Sequence, residues 1–166
     1  MTNLISIDYV LPLILAGLLI YAALSDLLRF IIPNWLNLTI LAFGIIYQII
    51  YGDIVLALGA GAIVLTIGFV LFAIRALGGG DVKLLAATAV WVGMAELPIF
   101  LVHTTIAGGV LSVLWLMSGR VRQILVYYGV DIDVAVPKFI PYGIAIAIAG
   151  LLMVSRLIGD VAVLEG

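Results

Sequence analysis

The sequence predicts an all-α polytopic membrane protein of six transmembrane helices, forming a single domain over residues 1–166, with both termini outside. The first observation behind this is composition: 66% of the 166 residues are hydrophobic, 10% are charged, and the mean hydropathy is +1.41. Soluble domains carry about 45–50% apolar and about 25% charged residues. The second is that apolar runs close to the ~20 residues needed to cross a bilayer recur from end to end. The third is the placement of the basic residues. With six spans and the N-terminus outside, Arg29, Arg75, Lys83, Arg120, Arg122 and Lys138 fall inside, and only Arg156 falls outside. That asymmetry is what the positive-inside rule expects. A five-span reading would put Arg120, Arg122 and Lys138 opposite Arg29 and Arg75.

The expected helices follow from these runs. The first covers about 9–28. The second covers 35–51, after the break at Pro33-Asn34, and Gly52-Asp53 then makes a tight turn. The third covers 54–76 and stops at three consecutive glycines. The fourth, 81–95, is short, at about 22 Å by helical rise, against a hydrocarbon core of ~30 Å. Glu96-Leu97-Pro98 interrupts the apolar stretch, with Pro98 as a first-turn proline of the fifth helix, 98–117. The sixth covers 140–158. Residues 118–139 form the largest non-membrane stretch, an inner loop whose Ile124–Tyr128 run suits the membrane surface or a short strand.

Composition also excludes. There are no cysteines, so disulfides, thiolate metal sites and thiol nucleophiles are ruled out. One histidine, His103, does not support a histidine-based metal site, and no metal or other cofactor is expected. Nothing is basic enough for nucleic acid. The N-terminus lacks the basic start of a secretory signal and runs straight into Asp26. Ser25, Ser112, Ser118 and Ser155 have no Gly-x-Ser-x-Gly setting.

What remains is a pair of carboxylates. Ionisable groups at membrane depth are costly and mark functional sites. Asp26 ends the first helix, and Asp81 opens the fourth after Gly78-Gly79-Gly80, so both lie near the inner surface. Asp26 alone reads equally as an interfacial residue paired with Arg29, three positions on. Asp81 is harder to dismiss: a helix-capping aspartate beside a flexible hinge is the weaker reading of it. Three glycines permit close approach by another chain, and two carboxylates at one depth suit acid–base chemistry. Neighbouring carboxylates cannot easily both ionise, so one keeps a proton. The charged member can take a proton from an attacking water while the protonated one polarises a carbonyl and then protonates the leaving amine.

Asp26 with Ile32-Pro33-Asn34, then Gly78-Gly79-Gly80-Asp81-Val82-Lys83-Leu84-Leu85-Ala86-Ala87, and later Ile140-Pro141-Tyr142-Gly143-Ile144-Ala145-Ile146-Ala147, resembles the type IV prepilin peptidase family. These are membrane aspartyl proteases with a Gly-x-Gly-Asp motif, and three motifs in order span most of the chain. The resemblance implies Asp26 and Asp81 as the catalytic pair and Gly78, Gly79 and Gly80 as motif backbone. It gives Pro33, Asn34, Lys83, Pro141, Tyr142 and Gly143 substrate-binding or structural parts. Lys83 reads as well as a lysine snorkelling to the interface. The implied activity is removal of a short basic leader from pilin-like precursors at the cytoplasmic face of the inner membrane. The precursor and the bilayer are the implied partners; the oligomeric state is not legible. Longer members carry a cysteine-bearing insert between helices one and two, associated with N-methylation. Here that link is only about 29–34, which makes methylation by this chain unexpected. The short form resembles tight-adherence prepilin peptidases or archaeal preflagellin peptidases.

The competing reading is a small proton-coupled transporter using Asp26 and Asp81, though transporter sites lie near the midplane. A non-catalytic scaffold leaves Gly78–Asp81 unexplained. Presenilin-like proteases share Gly-x-Gly-Asp, but no Pro-Ala-Leu segment is present. Elsewhere, His103 is expected to hydrogen-bond near Thr104 or Thr105, and Gly108-Gly109 to allow close helix packing. Trp35, Trp91 and Trp115 are expected as interfacial anchors, and Asp131 and Asp133 as solvated loop residues.

Overall fold

A computed structural model describes residues 7–128 and 140–164, and all the regular structure among them is helical. The helices are α1 (Ile7–Arg29), α2 (Asn34–Tyr51), α3 (Ile54–Ala73), α4 (Gly79–Tyr127) and α5 (Tyr142–Leu164). Four of them contain stretches long and apolar enough to cross a membrane, and Tyr142–Ile158 is a shorter apolar helix. Large apolar side chains such as Leu28, Val55, Phe69 and Leu116 are exposed, as expected where lipid replaces water as the solvent.

α4 is two helices joined at a break. Gly93 has φ +74° and ψ 174°, a left-handed backbone that favours glycine. The expected break at Glu96-Leu97-Pro98 is therefore displaced: Pro98 lies just inside the second run, and the glycine makes the turn. Contacts show that the chain reverses there. Residues 79–92 run antiparallel to α3, with Gly68 against Val82 and Gly61 against Val90. After the break, Glu96 pairs with Arg156, whereas Gly108 packs on Tyr142. The second run is thus antiparallel to α5 and returns towards the end of the bundle from which α4 set out. α1 is also antiparallel to α5, with Asp26 at Gly143 and Leu19 at Gly150.

The far end of the bundle is held by hydrogen bonds. Asp53 Oδ1 accepts from the amides of Val55 and Leu56 at 2.9 and 3.1 Å, capping α3. Gln48 Nε2 donates to the carbonyls of Val90 and Trp91 at 3.0 and 2.8 Å. Those carbonyls lose their helical partners at the Gly93 break, and a buried side chain supplies them. Trp91 is fully buried and its Nε1 donates to Ile40 O at 2.7 Å. It is a core residue, contrary to its expected place at the interface. Trp35 is exposed, and Trp115 packs edge-on against Phe30.

Other expectations shift as well. Helicity continues through 118–127, so that stretch is neither loop nor strand; Asp131, Asp133 and Lys138 lie outside the described residues. Gly108 takes the ring of Tyr142, but Gly109 faces open space. Thr104 and Thr105 donate to Phe100 O and Leu101 O of their own helix, and His103 Nδ1 has no partner among the described residues.

Candidate active site

α1 ends where Ser25 Oγ donates to Ile31 O at 2.7 Å and Phe30 turns with φ +53°. This fold-back leaves Asp26 pointing inward, only 5% exposed. Its Oδ2 accepts the Gly143 amide at 2.7 Å, and no ion pair with Arg29 forms. Asp81 stands at the third position of α4, where its Oδ2 accepts the Gly78 amide at 3.2 Å. That contact is half of a capping box, so Gly78, and not Asp81, occupies the cap position. The fourth helix accordingly starts at Gly79, two residues earlier than expected.

Both aspartates line one cavity of about 550 Å³, with Phe30, Phe72, Arg75, Gly78 and Tyr142 among its walls. Neighbours approach several of the glycines around it closely. A Cβ at Gly143 would lie 2.8 Å from both Asp26 Oδ2 and Ile32 Cδ1, and one at Gly80 would lie 3.3 Å from Ile32 Cβ. Buried Ile32 is thus wedged between the starts of α4 and α5, drawing the three sequence motifs into one place. Pro141 is fully buried just before α5, and Gly79 packs over Phe72. Pro33 caps α2 with extended backbone.

Asn34 and Lys83 do not join the carboxylates. Lys83 follows Asp81 by two residues, about 200° around the helix, and donates to Asn34 Oδ1 at 2.8 Å on the opposite face of α4. Lys83 is exposed there.

Sequence reasoning missed Phe30, Phe72 and Arg75 as walls of the cavity. Phe30 and Arg75 have φ of +53° and +62°, the only positive values at non-glycine residues among those described. Such backbone strain collects at functional sites, but it is invisible before the turns are seen. Gln48 and Asn37 left a readable signal: two amides eleven residues apart in an apolar helix share one face.

Residues 13–113 match the type IV leader peptidase family. The chain is 29% identical over 147 residues to a protein named prepilin leader peptidase/N-methyltransferase from Aeromonas salmonicida, covering 83% of this chain and 46% of that protein. A protein of the same name from Aeromonas hydrophila matches with the same identity and coverage. The chain therefore spans about half the length of these relatives. No solved structure matches it.

Proposed function

Because the chain belongs to the type IV leader peptidase family, we propose that it is a membrane aspartyl endopeptidase that removes the short basic leader from pilin-like precursors. The observation that carries this reading is the cavity that Asp26 and Asp81 share, with Asp26 held in place by the Gly143 amide. In this mechanism the ionised carboxylate takes a proton from water as the water oxygen bonds to the scissile carbonyl carbon. The protonated carboxyl hydrogen-bonds the carbonyl oxygen as it gains charge. When the carbon–nitrogen bond breaks, that carboxyl gives its proton to the departing amine. The products are a leader with a new carboxylate and a mature chain with a free amino terminus. Neither aspartate is assigned to one role alone.

The topology that fits is six crossings with both ends outside. The reversal at Gly93 supports it, because it divides α4 into two antiparallel runs. On this reading the cavity opens at the cytoplasmic face of the inner membrane, where a basic leader would lie while the precursor's apolar helix stays in lipid. Both carboxylates sit at helix ends, away from the midplane where transporter sites lie, which favours the peptidase. The link between α1 and α2 is only residues 30–33, which supports leader removal without N-methylation.

The test is co-expression with a pilin-like precursor and a mobility-shift readout. The parent chain shortens the precursor; Asp26→Asn and Asp81→Asn leave it uncut while still inserting in the membrane. Near-normal processing by either variant would overturn the proposal.

A further inference from the structure

A second concavity, of about 590 Å³, lies between α2, α3 and the first run of α4, on the face of that run turned away from the aspartates. Its length is apolar, with Leu38, Leu41, Leu58 and Leu65 among its walls, and its polar end is made by Asn34, Asn37 and Lys83. A flexible hydrocarbon chain can lie along such a groove.

The polar end states what the chain must carry. Lys83 touches Asn34, a neutral partner, and among the described residues the one ion pair, Arg156 with Glu96, is at the other end of the bundle. Among the described residues no carboxylate compensates the positive charge of Lys83 at the rim. Asn37 is 5% exposed; its Nδ2 donates to Gly80 O at 3.4 Å, while its Oδ1 receives no hydrogen bond from the described residues. An acceptor so placed calls for a donor. One molecule offers an anion, a hydroxyl donor and an apolar tail together.

We propose that this groove binds one anionic, hydroxyl-bearing phospholipid from the leaflet on the carboxylate side, its acyl chain along the leucines and its phosphate at Lys83. Because Asn37 also holds Gly80, the lipid sits directly behind the glycine turn that positions Asp81.

The experiment uses the full chain in phosphatidylcholine vesicles doped with a phosphatidylglycerol that carries a photoactivatable acyl chain. Labelling is expected on peptides of α2 and α3, competed by excess phosphatidylglycerol and not by phosphatidylcholine. Lys83→Gln lowers it about fivefold, the worth of one basic side chain at an anionic surface; Lys83→Arg retains it. Ala62→Phe, on an exposed wall of the groove, blocks labelling with the charge intact. Labelling indifferent to these variants, or competed equally by phosphatidylcholine, would mean ordinary surrounding lipid and overturn the proposal. Competition by inorganic phosphate alone, or displacement by a pilin-like precursor, would also overturn it, assigning the groove to a free anion or to a helix.

Discussion

The amide of Gly143 donates to Asp26 Oδ2 at 2.7 Å across 117 residues of sequence. It joins the start of α5 to the end of α1 and brings the last motif of the chain onto the first. A Cβ there would lie 2.8 Å from both the carboxylate and Ile32 Cδ1, so a side chain has to shift to admit it. Overpacking of this kind costs about 1–3 kcal/mol. Gly143→Ala is expected to lower precursor cleavage at least tenfold, measured as initial rates per inserted molecule, with a modest fall in melting temperature. Unchanged cleavage would show that this approach is not needed for the chemistry.

Arg75 pairs a wall position in the cavity with a left-handed backbone that costs a non-glycine residue roughly 1–2 kcal/mol. Arg75→Gly removes the strain and the side chain together. Melting in detergent should hold steady or rise, while cleavage falls. A variant that cleaves like the parent would make the strained arginine a bystander.

Gln48 supplies two carbonyls at the Gly93 break. Gln48→Leu strands them, at about 1–3 kcal/mol for buried polar groups left unmade. Lower thermal stability is expected, with cleavage per folded molecule largely kept, because the residue stands at the opposite end from the aspartates. Loss of cleavage with unchanged stability would contradict that placing.

Trp91→Phe removes the hydrogen bond to Ile40 O while keeping most of the ring's packing. A loss of about 0.5–1.5 kcal/mol is expected, read by denaturant or thermal unfolding. An interfacial tryptophan would show almost none.

The helical class was legible because long apolar runs are strong, local signals, and the two aspartates that line one cavity stood out as candidates because carboxylates between such runs are rare. The motif glycines were equally visible, although the wedge of Ile32 that explains Gly80 and Gly143 was not: an isoleucine in an apolar chain looks like any other. The fourth helix was misjudged at both ends. A capping contact from Asp81 back to Gly78 starts it early, and Gly93 breaks it before the more conspicuous Pro98. Trp91 was misplaced because a tryptophan's partner, here a backbone carbonyl on α2, cannot be read from its own neighbourhood. Lys83 lies close to Asp81 in sequence, yet helical rotation carries it to the other face.

Whether Asp26 and Asp81 work as one unit is tested most directly by single-turnover cleavage of a purified precursor in liposomes by Asp26→Asn, Asp81→Asn and the double variant. Residues that act as a unit are strongly non-additive. Each single substitution should reduce the rate as far as the double one does, down to background. Substantial cleavage by either single variant, or partial losses that multiply in the double, would contradict a shared catalytic pair.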